Sequence, residues 1–170
     1  MKILISRAAK ANTPNVNGVI YSEDLLKRSL EEKLNKLGPI PVTLQGPYYG
    51  LWKSEEFQSV NEADVIGYIK SLDDIHDTCN YVHIKDSLEP KTITKIIDRV
   101  RDGYKLGLRY FAEVEKVRES EGIKYIKDGT MHVICYDLIK VEVVDWYLPL
   151  QYFYRLSTNE IAGSSISITW

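Results

Sequence analysis

Apolar positions recur at the spacing of an α-helix in two stretches of the chain. The first stretch lies between Ser22, which suits a helix cap, and Gly38, which is placed to end the helix before Pro39. The second begins at Pro90, which suits a first turn, and ends near Asp102. The pattern predicts two amphipathic helices with these apolar faces: Leu26, Leu30, Leu34 and Leu37 in the first, and Ile93, Ile96, Ile97 and Val100 in the second.

Alternating apolar and polar positions predict strands in most of the remaining chain. Residues 105–118 alternate over a long run, which indicates a strand with one solvated face. Asp128-Gly129 predicts a tight hairpin turn between two shorter runs. Further strands are predicted at 1–7, 41–45, 65–72, 80–85 and 138–146. Together the elements predict an α+β fold, a mainly antiparallel sheet or barrel packed with two helices.

The aromatic residues cluster in two regions, and this changes the expected organisation. We expect a domain over residues 1–149 and an aromatic C-terminal tail over residues 150–170, in which Ile166, Ile168 and Trp170 alternate with polar residues. Such a terminal strand either completes its own sheet or pairs with a neighbouring subunit. Because aromatic side chains also fill β cores, their function stays open between core and interface. The candidate interface residues are Tyr48, Tyr49, Trp52, Phe153, Tyr154 and Trp170.

Composition excludes several classes of partner. The chain has 170 residues and a net charge of −2, with its 22 basic and 24 acidic residues well mixed. The sequence lacks the basic stripe that would indicate nucleic-acid binding. No apolar run approaches the roughly 20 residues of a membrane span. The N-terminus lacks the apolar region of a signal peptide. Cys79 and Cys135 are expected to be reduced core thiols of an intracellular protein.

The reactive side chains do not form a recognisable catalytic or metal site. His76 falls in an acidic turn, whereas His83 and His132 fall in strands, where satisfied or surface histidines are common. His132 and Cys135 are three positions apart, an odd separation that places their side chains on opposite faces of one strand. Neither histidine nor cysteine spacing matches a metal site, and the acidic turn lacks the pattern of a calcium loop. We therefore expect neither a metal nor a cofactor.

Four segments, taken in order, resemble the prohead (procapsid maturation) proteases of tailed phages, a family that shares its fold with herpesvirus assemblins. Its opening Asn-x-Asn-(Gly/Lys)-Arg-x-Tyr-Pro element is similar to residues 15–22, and its strand ending in His-Pro is similar to residues 42–47. Its Gly-(hydrophobic)-Ser-(Ser)-Arg-Gly strand is similar to residues 107–112. Its hydrophobic closing strand before a proline is similar to residues 137–149. The resemblance covers residues 15–149 and implies the fold of that family.

The resemblance also implies where a catalytic site would lie, and here the chain departs from the family. The family's histidine falls at Gly46 (or Gln45), and its nucleophilic serine falls at Arg109, next to Tyr110. Acyl transfer requires a nucleophile and a base within hydrogen-bond reach. Glycine cannot accept a proton, and a guanidinium stays protonated. We therefore expect a degenerate site.

Three functions remain after this step. The first is a non-catalytic relative of the prohead proteases that serves as a virion or capsid-assembly component, in the virion or in the host cytoplasm during assembly. It would contact other virion or capsid proteins and could form homo-oligomers. The second is an active maturation protease with relocated residues, in which His83 or His132 would need to lie beside Ser71, Ser87 or Cys135. The third is an unrelated α+β interaction domain.

Overall fold

The computed structural model describes residues 3–6, 19–44, 59–75, 80–102, 104–139, 158–161 and 166–169. In this part of the chain, helices α1 (Glu23–Leu37) and α2 (Pro90–Arg101) accompany nine strands and two short 3₁₀ helices, Glu62–Asp64 and Leu72–Asp74. The strands are β1 (Ile3–Ser6), β2 (Val19–Tyr21), β3 (Ile40–Thr43), β4 (Val65–Ile69), β5 (Asn80–Ile84), β6 (Lys105–Ser120), β7 (Ile123–Ile139), β8 (Thr158–Ile161) and β9 (Ile166–Thr169).

Both helices begin and end where their local sequence predicts. The Ser22 hydroxyl accepts a hydrogen bond from the Leu25 amide at 3.3 Å, and Gly38 ends α1 with a φ of 87°. Only glycine adopts that backbone region readily, because it has no Cβ. In α2, Pro90 occupies the first turn, where its missing N–H costs no helical hydrogen bond. Of the predicted apolar faces, Leu26, Leu30 and Ile96 are buried in the core, whereas Leu37 is exposed.

All nine strands belong to one sheet, in the order β8-β6-β7-β3-β4-β5-β1-β9, with β2 added beside β7. Strands β2 and β3 run parallel to β7, and the other pairs are antiparallel. The apolar core contains side chains from both helices and from β2 to β7. The predicted α+β class, with two helices and a mainly antiparallel sheet, is confirmed.

The positions of β8 and β9 show that this sheet is strongly curled. Only residues 162–165 separate the two strands, and even an extended chain would span about 18 Å between Ile161 and Ile166. In a flat sheet, eight strands spaced about 4.8 Å apart would place the two edges about 34 Å from each other. The edges must therefore curve toward each other. The described strands nevertheless show no pairing between β8 and β9, so the sheet stays open there.

The hairpin predicted at Asp128-Gly129 is wrong. Strand β7 runs through these residues. The turn lies seven residues earlier, at Glu121-Gly122, where both residues have positive φ and Ser120 pairs with Ile123. The pairing between β6 and β7 is irregular between Val114 and Val117, opposite Asp128-Gly129. An Asp-Gly pair tolerates a β-bulge as well as a turn, and here it occurs at the bulge.

The C-terminal strands join the sheet of the same chain. Strand β8 pairs with β6 from Gly107 to Tyr110, and β9 pairs with β1 along its whole length. Of the two arrangements that the sequence left open for the tail, the structure thus shows pairing within the chain. The boundary predicted near residue 149 stays a prediction, because residues 140–157 lie outside the described part.

Neither of the two described helices is long and apolar enough to cross a membrane.

Candidate functional site

A buried polar cluster lies where three strands of the predicted site meet. Thr43, Arg109 and Asp137 come from β3, β6 and β7, and each follows or precedes a core residue on its strand. Because strand side chains alternate between faces, these three point away from the main apolar core. Val60 packs on this side of the sheet, against Ile134 and Cys135. The cluster is thus a second buried region, on the opposite face of the sheet from the main apolar core, and it contains polar side chains.

Arg109 and Asp137 form a bidentate ion pair in this cluster. The Arg109 Nε atom donates to Asp137 Oδ2 at 2.9 Å, and Nη2 donates to Oδ1 at 2.7 Å. The side chains are only 4% and 0% exposed. Asp137 Oδ1 also accepts a hydrogen bond from the Thr43 hydroxyl at 2.6 Å, and the Cys135 thiol donates to it at 3.5 Å. Such a satisfied pair holds both side chains in a single geometry.

The electrostatics of the cluster oppose nucleophilic chemistry. Burial lowers the pKa of Arg109, but the charge and hydrogen bonds of Asp137 outweigh it and raise that pKa above its ordinary value. Burial first, and then the charge of Asp137, raise the pKa of the Cys135 thiol well above its ordinary value. Reactive cysteines need the thiolate, which this environment disfavours. Arg109 therefore keeps its proton, and Cys135 stays a thiol at neutral pH.

Tyr110, the neighbour of Arg109, lies in the main apolar core. Its ring meets the ring of Tyr21 edge-on, with centroids 5.3 Å apart and an interplanar angle of 88°, and its hydroxyl donates to that of Tyr21 at 2.7 Å. Both side chains are buried. Tyr21 is the tyrosine of the Asn-x-Asn-Gly segment. The contact thus joins two of the segments on which the resemblance rests.

A second pair, between His83 of β5 and Asp74 of the 3₁₀ helix Leu72–Asp74, involves none of the residues of this cluster. His83 Nε2 lies 2.9 Å from Asp74 Oδ1, and the two side chains are 20% and 14% exposed. Asp74 Oδ2 accepts hydrogen bonds from the backbone amides of Lys70 at 2.8 Å and Ser71 at 3.2 Å. His83 Nδ1 is buried, and no residue in the described part of the chain forms a hydrogen bond with it. Although burial opposes it, these hydrogen bonds lower the pKa of Asp74, so the carboxylate is charged.

The structure brings together some of the residues predicted from the sequence. It places β3, β6 and β7 side by side, as the resemblance requires, and it buries both Arg109 and Tyr110. Cys135 is buried, whereas His132 on the same strand is exposed. Ser71 and Ser87 are both exposed. These predicted residues lie outside the described part of the chain: Gly46, Tyr48, Tyr49, Trp52, His76, Cys79, Phe153, Tyr154 and Trp170.

Sequence reasoning missed Asp137 and Thr43, which complete the cluster. One signal was available for Asp137. It is a lone carboxylate between the apolar runs Val133–Tyr136 and Leu138–Ile139, and a charge inside such a strand needs a buried partner. Its partner lies 28 positions away along the chain, across a pairing that shifts register beside Arg109. Among the described residues, no group of three or more His, Cys, Asp or Glu side chains could hold a metal ion.

The chain is similar in structure to the capsid assembly protease of bacteriophage T4. The TM-score is 0.56, the sequences are 12% identical, and the similarity covers 81% of each chain. No family model and no curated protein matches the sequence. At this identity the similarity shows the fold alone. The prohead-protease-like fold that the sequence predicted is therefore confirmed.

Proposed function

We propose that the protein is a non-catalytic relative of the capsid assembly proteases and serves as a structural component in the assembly of a phage particle. The fold shared with the T4 protease supports the link to capsid assembly. The observation that carries the non-catalytic part is the buried Arg109–Asp137 pair. It occupies the strand position at which the resemblance places the nucleophilic serine.

The ion pair leaves no room for acyl transfer at this position. A nucleophile must give up a proton to a base, and the guanidinium of Arg109 is held in its charged form by Asp137. Its side chain is also almost wholly buried, so that a peptide carbonyl has no access to it. A change of one residue would therefore not restore activity, because Asp137 would lose its partner.

The test of this proposal is an activity assay on the purified full chain. We expect no cleavage of scaffold-like or generic peptides, and no labelling by a serine-directed fluorophosphonate probe. The matched variant is Arg109→Ser, which installs the family's hydroxyl without its histidine, and it should remain inactive. Labelling of the unmodified protein at a single serine would overturn the proposal.

A second candidate function is a protease with relocated residues, and the Asp74–His83 pair is the observation that favours it. A carboxylate that accepts a hydrogen bond from a histidine is the orienting half of a catalytic triad. Ser71 lies next to this pair, since its backbone amide donates to Asp74. However, His83 Nδ1, the nitrogen that would accept the proton of a nucleophile, is buried and makes no hydrogen bond to the Ser71 hydroxyl.

The same probe separates the two candidates. Under the second one, the fluorophosphonate would label the protein, and both Ser71→Ala and His83→Ala would abolish labelling, whereas Ser87→Ala would not. Ser87 is a suitable control because it is exposed, like Ser71, and lies shortly after β5, the strand that contains His83. Under the first candidate, all four proteins remain unlabelled.

Binding to other virion or capsid proteins, or to further copies of the chain, would be the remaining function. The aromatic residues of segments 45–58 and 150–170 are the proposed contact residues, because aromatic side chains are enriched among interface hot spots. Single alanine substitutions of Tyr48, Tyr49, Trp52, Phe153, Tyr154 and Trp170 test this. A hot spot should weaken incorporation into particles about 30-fold, the equivalent of about 2 kcal/mol.

Substitutions are preferable to deletion of the tail. Because β8 and β9 pair with β6 and β1, a chain that ends at Pro149 loses two edge strands as well as its aromatic residues. Loss of incorporation by that deletion would therefore not separate folding from binding. If all six single variants fold and incorporate normally, the contact surface lies elsewhere.

A further inference from the structure

The long strand β6 has one edge that its neighbours in the sheet cover only in part. Along one edge it pairs with β7 over its whole length, and along the other it pairs with β8 only from Gly107 to Tyr110. None of the described strands pairs with this second edge from Phe111 to Ser120. This stretch, residues 111–120, is the outer edge of β6. Its backbone N–H and C=O groups can pair with a further strand.

The charges along the outer edge are symmetric about its middle, with opposite sign on the two sides. Residues 113–118 have the sequence Glu-Val-Glu-Lys-Val-Arg, whose centre lies between Glu115 and Lys116. From that centre toward either end, a charged residue is followed by a valine and a second charged residue. The charges are acidic on one side and basic on the other. Two such strands, paired antiparallel about this centre, therefore place acid opposite base and valine opposite valine.

A bulge in β6 gives this arrangement the geometry that a twofold axis requires. Such an axis, perpendicular to the sheet, reverses a strand without exchanging its faces, so paired residues must lie on the same face. In a regular strand Glu113 and Arg118, which are five positions apart, would lie on opposite faces. The pairing with β7 leaves Glu115 as an extra residue between Val114 and Lys116. One extra residue shifts the alternation by one position, and Glu113 and Arg118 then share a face.

We propose that the outer edge of β6 pairs antiparallel with the same edge of a second copy of this chain, about a twofold axis at the bulge. In this register Glu113 of each copy lies opposite Arg118 of the other, and Val114 lies opposite Val117. In a twofold interface, if one residue contacts a second, the second also contacts the first. A strand whose two halves carry opposite charges meets that condition. Opposite charges across an antiparallel pair stabilise it, whereas like charges destabilise it.

The same features disfavour other strands as partners. Charged residues and bulges on an edge discourage indiscriminate pairing, because a strand of arbitrary sequence leaves the charges unmatched. Pairing of two copies about Glu115 or Lys116 alone would place like charges opposite each other. The inference rests on the proposed function in one respect, since it names a second copy of the chain as a partner. It adds a surface separate from the aromatic residues proposed above.

Reversal of single charges tests the register. Glu113→Lys places a lysine opposite Arg118 of the other copy, and Arg118→Glu places a glutamate opposite Glu113. Sedimentation equilibrium of the full chain should show a dimer for the unmodified protein. Each single variant should raise the dissociation constant of that dimer at least about tenfold. The double variant Glu113→Lys and Arg118→Glu exchanges the two charges and should restore the dimer.

A mixture of the two single variants gives a sharper test. The new lysine of Glu113→Lys then lies opposite the new glutamate of Arg118→Glu, and the remaining Arg118 lies opposite the remaining Glu113. Because both pairs have opposite charges, the mixture should form a heterodimer about as tightly as the unmodified protein dimerises. Native mass spectrometry identifies the heterodimer by its mass. This result requires an interface in which position 113 of one copy lies opposite position 118 of the other.

Glu31→Lys is the matched control. Glu31 is exposed on α1, and its reversal changes the net charge by the same amount as Glu113→Lys. It should leave the dissociation constant unchanged. Circular dichroism shows whether each variant folds. If a charge-reversed variant does not fold, Glu113→Gln and Arg118→Gln remove the attraction without adding like charges, and each should raise the dissociation constant about threefold.

Three results would contradict the inference. An unmodified protein that sediments as a monomer at every accessible concentration has no such interface. A dimer whose dissociation constant does not change in folded variants of Glu113 and Arg118 is held by another surface. A mixture that associates no better than either single variant excludes the proposed register.

The fluorophosphonate assay separates this interface from the proposed function. A dimer that the probe labels at a single serine keeps the interface and contradicts the non-catalytic function. A monomer that stays unlabelled contradicts the interface alone. An unlabelled dimer that responds to charge reversal as described supports both.

Discussion

Two of the carboxylate pairs in the described part of the chain differ in what they can do. Asp137 accepts two hydrogen bonds from Arg109, and both side chains are almost wholly buried. Asp74 accepts one from His83 near the surface, and its other oxygen accepts from two backbone amides. Arginine cannot release its proton, whereas an imidazole ring can both donate and accept one. The first pair therefore only holds structure, and the second is the one at which proton transfer is chemically feasible.

The two pairs also differ in how much depends on them. Arg109 and Asp137 connect β6 and β7 to each other, to β3 through Thr43 and to the segment at Ser59. Asp74 holds one 3₁₀ helix against β5. Removing one partner of the first pair should lower the free energy of unfolding strongly, because it leaves the other charge buried without a counter-charge. The comparison predicts a graded series of effects.

Asp137→Ala should have the largest effect. It leaves the buried guanidinium of Arg109 without its counter-charge, and we expect a loss of about 3–5 kcal/mol in the free energy of unfolding. Urea denaturation followed by circular dichroism measures it. The double variant Arg109→Met and Asp137→Leu removes both charges and should recover most of the loss. If the double variant is as unstable as Asp137→Ala, the buried charge is not the cause.

Gly67→Ala should have the next largest effect. Gly67 lies on β4, which pairs with β5, the strand that contains His83. A Cβ at Gly67 would lie 2.5 Å from the His83 carbonyl oxygen and 3.0 Å from its carbonyl carbon. Strands β4 and β5 would have to separate, at a cost of about 1–3 kcal/mol. Thermal unfolding measures this cost, and Gly122→Ala, at a turn with open space but a φ of 77°, is the comparison. A Gly67→Ala protein as stable as the unmodified one would show that β4 and β5 adjust freely.

The contrast between the pairs shows how far the sequence can predict this molecule. The sequence predicts both helices, because the signals that start and end them are local. Ser22, Gly38 and Pro90 each affect only backbone groups a few residues away. The fold class and the neighbouring positions of β3, β6 and β7 followed from element order. Asp137 was not predicted as the partner of Arg109, because a bulge shifts the register between them. Likewise, Asp128-Gly129 has the same local chemistry in a bulge as in a turn, and only the pairing of β6 with β7 distinguishes the two.

Asp74→Asn should have a smaller effect than either of these. The amide keeps the shape of the side chain but replaces a charge-assisted hydrogen bond to His83 with a neutral one. We expect a loss of about 1–2 kcal/mol in the free energy of unfolding at pH 7. Denaturation in urea measures it, and Asp73→Asn on the same 3₁₀ helix, where the side chain is exposed, is the control. Equal losses in both variants would show that the contact with His83 contributes nothing.

The smallest effect is the pH dependence of that loss. Because the pKa of Asp74 is lowered on folding, its charged form stabilises the native state at every pH above its unfolded pKa, which is about 4. This stabilisation is lost as the pH falls through the lower, native-state pKa. The difference in the free energy of unfolding between the unmodified protein and Asp74→Asn should thus be constant between about pH 5 and 6, and should shrink by about 1 kcal/mol or less below pH 4. Urea denaturation of both proteins between about pH 2.5 and 6 measures this, and the subtraction cancels the other carboxylates. A difference that stays constant to the lowest pH would mean that His83 and the two backbone amides do not favour the charged form of Asp74.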